Sequence, residues 1–176
     1  MLPFCSATSA EDFFEYVIKA HATLAAACGG AATAIVTGVA ATAALGRALA
    51  AALRPGDVVG LVGPLGAGKS ALARAAIAAL CGETDIPSPT FGLAIRYEAP
   101  LAAVWHFDLY RLARPEDAFE LGLEEAFDGG ISLIEWPERI AALLPLETLI
   151  VRLDHAGNGR RAIVDAPDAW GTRLEG

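Results

Sequence analysis

The feature that most constrains this chain is the run Asp57-Val-Val-Gly-Leu-Val62, which leads directly into Gly63-Pro-Leu-Gly-Ala-Gly-Lys69-Ser70 and then into Ala71 to Leu80. The first segment is continuously apolar, as expected of a strand buried on both faces of a parallel sheet. The last is rich in Ala and Leu, which predicts a helix over 69–80 that stops at Cys81-Gly82. Between them, Gly63 to Ser70 satisfy the phosphate-loop pattern G-x-x-x-x-G-K-[ST] in full. The physics asks for these residue types. Gly63, Gly66 and Gly68 let backbone N–H groups converge on phosphate oxygens, with Pro64, Leu65, Gly66 and Ala67 filling the four variable positions. The helix N-terminus behind them favours negative charge. Lys69 is a mobile cation for the β and γ phosphates, and the Ser70 hydroxyl is a ligand for Mg²⁺.

At 176 residues the chain holds one domain of ordinary size, which excludes a second substrate domain. With 55% hydrophobic and 19% charged residues it has enough apolar material for a core, although alanine supplies much of it. Residues 1–30 read as an N-terminal extension, with Ser9 and Asp12 capping a short helix through Phe13 to Ile18; residues 31–176 read as the phosphate-loop domain. Within that domain the pattern predicts a strand over 34–36, a helix over 40–53, strands over 93–97, 104–107 and 131–134, and a helix in the acidic run after Pro115. A short helix ends at 141–144, and a closing β-hairpin runs over 149–153 and 161–164 around Gly157-Asn158-Gly159. The fold class is α/β, three-layered, with a mostly parallel central sheet and a C-terminal β-hairpin.

The uncharged stretch from Ala22 to Gly46 is long enough on paper to span a bilayer, but it is mostly Ala, Gly and Thr. Neither a membrane span nor a secretion signal is expected. Cys5, Cys28 and Cys81 are odd in number and lack metal-ligand spacing, which fits a reducing cytoplasm. A net charge of -8 argues against phosphate-driven adhesion to DNA or RNA, so any role on RNA is indirect.

A phosphate loop that hydrolyses nucleotide needs a second acid near the metal, normally at the end of a neighbouring buried strand. Asp108 and Glu135 both stand in such places, after Ala103 to Phe107 and after Ile131 to Ile134. Ile86-Pro-Ser-Pro-Thr-Phe91 is held extended by its two prolines; Ser88, Thr90 and Phe91 make it a candidate switch, with the Thr90 hydroxyl in reach of metal or γ-phosphate. Trp136 is a candidate site or interface residue. His106 faces away from Phe107 by strand alternation and reads as structural.

In this order, GPLGAGKSAL, SPTF, HFDLYRL at 106–112, LGLEEAF at 121–127 and LIEWPERI at 133–140 resemble the TsaE (YjeE) family, the small ATPase of bacterial tRNA N6-threonylcarbamoyladenosine (t6A) synthesis. The likeness runs from about Ala34 to Val164. It implies a P-loop NTPase fold, an ATP and Mg²⁺ site, and action with the TsaB and TsaD proteins, with tRNA engaged through that complex. It also implies a nucleotide loop over Gly63 to Ala71, Mg²⁺ ligands at Ser70 and Glu135, a functionally important aspartate at Asp108 and a switch-like threonine at Thr90. The tryptophan after the glutamate is Trp136. The base and ribose side falls near Val39 and Thr42 and near the hairpin turn at Gly159 and Arg160. The family loop commonly reads GDLGAGKTT; here Pro64 replaces its acid, and Ser70-Ala71 replace two threonines, which removes one polar group.

Two other functions carry the same loop. A small-molecule kinase would need an arginine-bearing lid, whereas Arg111 and Arg114 follow a strand. A GTP-dependent switch would need an N-K-x-D segment, and none follows the loop.

Overall fold

The sheet is built so that parallel strands fill its centre and antiparallel strands close both edges. The computed structural model describes residues 31–36, 38–89, 92–157 and 159–170. The helix expected within residues 1–30, together with Thr90 and Phe91, lies outside the described residues. The regular elements are β1 (Ala31–Val36), α1 (Gly38–Ala52), β2 (Val58–Val62), α2 (Lys69–Cys81), β3 (Ala94–Tyr97), β4 (Val104–Asp108), α3 (Leu123–Phe127), β5 (Ile131–Glu135), β6 (Leu149–Ala156) and β7 (Gly159–Asp165).

The strand order is β1-β7-β6-β2-β5-β4-β3. β6, β2, β5 and β4 run parallel to one another. β3 pairs antiparallel with β4 at one edge; at the other, the β6–β7 hairpin is extended by β1, again antiparallel. The mostly parallel sheet read from the sequence is therefore a parallel centre with antiparallel margins.

Strand alternation divides the core between the two faces. Val59, Leu61, Leu133, Val151 and Leu153 face Leu45 and Leu49 of α1 and Leu72, Ala76 and Ile77 of α2. Val58, Trp105, Phe107 and Ile134 face the opposite layer, with Leu109, Ala118, Leu123 and Ile140. Small side chains let the two long helices approach closely: a β-carbon on Gly46 would collide with the carbonyl oxygen of Leu72.

Two helices expected from the sequence take other forms. The acidic run after Pro115 is a 3-10 segment, Pro115–Leu121, followed by the short α3. Gly122 ends it at φ 87°, a conformation that favours glycine, and a β-carbon there would meet the Trp105 ring. The segment before Pro145 is likewise 3-10, Pro137–Leu143. The described part of the uncharged run is split between β1 and α1, and no helix among the described residues is long and apolar enough to cross a membrane.

Candidate functional site

The phosphate loop leaves β2 at its C-terminal end and feeds α2, so the first-turn amides of α2 open into the crevice beyond the strand ends. Its curvature depends on glycine at two positions above all. Gly63, at φ 149°, presses against the carbonyl oxygen of Leu153 in β6. Gly68, at φ 105°, takes a backbone conformation that strains any side chain, and a β-carbon there would lie 3.0 Å from Arg160 Nε and 3.4 Å from Thr42 Cγ2. Thr42 and Arg160 thus stand against the end of the loop. Val39 lies in the first turn of α1, and Gly159 faces Ala156 at the hairpin turn.

In front of the loop is a pocket of about 360 Å³. Leu65, Gly66, Gly68, Lys69, Ser70 and Ala71 form one wall; Asp108, Tyr110, Arg111, Glu135 and Trp136 form the other. The structure thereby brings together the loop, both strand-end acids and the tryptophan singled out in the sequence. Pro64 and Ala67 shape the loop from behind, with the Ala67 N–H donating to Pro64 O at 3.2 Å. Ser88 lies in the stretch leading to Thr90 and is half-buried.

Lys69 is folded back on its own loop. Its Nζ donates to the carbonyls of Gly63 at 2.6 Å and Pro64 at 2.9 Å, and sits 4.0 Å from the centroid of the Trp136 ring. Burial depresses its pKa below 10.5, opposed in part by the negative charges of Glu135, Glu138 and Asp108. The ammonium is held by groups it can exchange for phosphate oxygens.

The two acids stand side by side because β4 and β5 pair in register, Asp108 opposite Glu135. Glu135 is buried, and each of its oxygens has a partner: Ser70 Oγ donates to Oε2 at 2.8 Å, and His106 Nε2 lies 3.0 Å from Oε1. Asp108 Oδ1 accepts the Tyr110 N–H at 3.3 Å, which starts the 3-10 turn Leu109–Arg111. A hydroxyl and a carboxylate converging beside a phosphate cradle suit Mg²⁺, which takes one or two protein oxygens and completes its shell with phosphate and water. Among the described residues no cluster of three or more His, Cys, Asp or Glu forms a metal cage from protein alone.

Trp136 adopts left-handed backbone angles, φ 60° and ψ 50°. Its N–H reaches Leu61 O at 3.3 Å, and the following Pro137 packs where Gly60 has no side chain. These contacts aim the ring across the pocket mouth, 4.9 Å from that of Tyr110. Tyr110, Arg111 and His106 also stand here, none of them singled out from the sequence as a site residue. Tyr110 and Arg111 come to the pocket because a 3-10 turn follows Asp108. His106, read as structural, sits against Glu135; its position two residues before Asp108 on the same strand face was the available signal.

Comparisons with known proteins agree with this geometry. The sequence model of the family described as threonylcarbamoyl adenosine biosynthesis protein TsaE matches residues 36–163. A Rickettsia conorii protein named tRNA threonylcarbamoyladenosine biosynthesis protein TsaE is 47% identical over 118 residues, covering 66% of this chain and 67% of its own. Its namesake in Bacillus subtilis is 36% identical over 135 residues, 76% of this chain and 83% of its own. The crystal structure of Bacillus subtilis YdiB superimposes with a TM-score of 0.69 at 30% identity, covering 83% of this chain and 93% of that one. With a phosphate loop of complete pattern on this sheet, and with matches of this extent, the chain belongs to the TsaE family.

Proposed function

We propose that the protein is a Mg²⁺-dependent ATP hydrolase of t6A formation, acting with the TsaB and TsaD proteins in the cytoplasm. The observation that carries this reading is the convergence in one pocket of the phosphate loop, Lys69, the Ser70–Glu135 hydrogen bond and Asp108. The place in tRNA modification is supported by the names of the relatives.

The loop amides from Gly63 to Ala71 cradle the phosphates, and Lys69 exchanges the Gly63 and Pro64 carbonyls for phosphate oxygens. Ser70 and Glu135 would hold Mg²⁺, which would supply positive charge against the charge of the reacting phosphate. Asp108 orients the attacking water, whose oxygen bonds to the γ-phosphorus as the bond to ADP breaks. Val39, Thr42, Gly159 and Arg160 lie on the side assigned to base and ribose. The stretch from Ser88 to Phe91, including Thr90, and the region of Trp136 take up the docking state with nucleotide and leave it after hydrolysis.

The test is multiple-turnover modification of tRNA by TsaB and TsaD with and without this chain, with ATP or GTP supplied. The parent chain should sustain repeated rounds with ATP, and Lys69→Ala should not. Equal cycling of the partner pair alone, or binding to neither partner in any nucleotide state, would refute the proposal.

A further inference from the structure

Glu135 is a buried carboxylate, and such a charge persists only when its lone pairs are satisfied. Ser70 occupies one oxygen; the other faces His106 Nε2 at 3.0 Å. His106 is fully buried in the middle of β4, and its Nδ1 has no hydrogen-bond partner. These facts place a hydrogen on Nε2. With the hydrogen on Nε2, the ring donates to the carboxylate and leaves only an acceptor, Nδ1, unpaired. The other tautomer would set a nitrogen lone pair against carboxylate lone pairs and bury an orphan N–H, the costlier arrangement. The contact is diagonal across the strand pair. His106 is in register with Leu133, two residues before Glu135, and both side chains face α2, so the imidazole approaches from beneath the strand end.

We propose that His106 is a positioning residue: its Nε2–H pins Oε1 of Glu135 so that Oε2 stays aimed at Ser70 and the metal position. Hydrogen bonds of this kind to metal-binding carboxylates set ligand orientation, and their loss typically lowers metal affinity about ten- to hundredfold. This inference rests on the proposed Mg²⁺–nucleotide site, and its test separates the two.

The experiment titrates Mg²⁺ against binding of the fluorescent nucleotide mant-ADP, with binding in EDTA measured in parallel. His106→Leu and His106→Asn should raise the half-saturating Mg²⁺ concentration about ten- to hundredfold. His106→Gln, whose amide nitrogen reaches as far as imidazole Nε2, should stay close to the parent. Binding in EDTA should be unchanged in all three, which also reports an intact fold. If the leucine variant does not fold, the asparagine–glutamine contrast decides alone. In a Glu135→Gln background, His106→Asn should add nothing. Equal Mg²⁺ dependence in the parent and the asparagine variant, or equal loss in the asparagine and glutamine variants, would overturn the inference. Undiminished mant-ADP binding by Lys69→Ala would instead overturn the nucleotide site, and this proposal with it.

Discussion

The two walls of the pocket are made differently. The loop wall presents main-chain groups, set by glycines at positive φ and backed by β6 and by the packed pair α1 and α2. The strand-end wall presents side chains, set by the register of β4 against β5 and by the turns that follow them. Tyr110 is 46% exposed on that wall, and Trp136 is held in a left-handed backbone conformation that disfavours a bulky side chain. One wall is a rigid receptor for charge. The other is set by strand register and turns, and the two touch where Lys69 lies under the Trp136 ring and where Ser70 donates to Glu135.

If the division holds, Asp108 on the strand-end wall acts in turnover, and the glycines of the loop wall act in folding. The largest effect is expected from Asp108→Asn, which should lower kcat about 10²-fold or more while mant-ADP affinity stays within about twofold of the parent. Steady-state phosphate release and equilibrium fluorescence check the pair of values. A parallel loss of affinity would break the comparison. Next is Gly63→Ala, which must place a methyl group against the Leu153 carbonyl; urea unfolding should show a loss of about 3 kcal/mol or more. An unchanged midpoint would mean that the loop is not clamped from behind.

A smaller effect concerns the contact between the walls. When Lys69 turns to phosphate, a cation leaves the Trp136 face, an interaction of about 0.5–2 kcal/mol. Tryptophan emission should therefore change on addition of ADP, and this change should be absent in Trp136→Phe and in Lys69→Ala. Persistence of the signal in Trp136→Phe would assign it to Trp105 or Trp170. The smallest effect is protonic. Because the free protein's Lys69 has a pKa below 10.5, while bound phosphate favours the charged form, nucleotide binding takes up a proton where free Lys69 has begun to deprotonate. Affinity should then fall as pH rises through that interval. Calorimetry in two buffers of different ionisation heat should give an uptake of less than one proton, lost in Lys69→Arg.

The loop wall was legible in the sequence almost residue for residue, because backbone geometry of this kind demands glycine, lysine and a hydroxyl at fixed spacing. The strand before it and the helix after it begin and end within a residue of where the apolar pattern puts them. The strand-end wall was legible only in part. Asp108 and Glu135 follow apolar runs, but their standing opposite each other is a matter of register between strands distant in sequence. His106 looked like any polar residue in a buried strand until Glu135 was placed beside it. β1 is longer than expected, starting at Ala31, because an Ala- and Thr-rich run carries no alternation to mark a strand. The turns at 115–121 and 137–143 share the composition of helices, and the first ends at Gly122, whose left-handed backbone lies against the Trp105 ring.

Gly63 against Leu153 and Gly68 against Arg160 tie the phosphate loop at both ends to the β6–β7 hairpin, a segment far along the chain. In the terms of amide exchange, a loop packed this closely on the hairpin is expected to open together with it. Protection acquired at the loop on nucleotide binding would therefore be registered along β6 and β7 as well, at the edge of the sheet and well away from the phosphates.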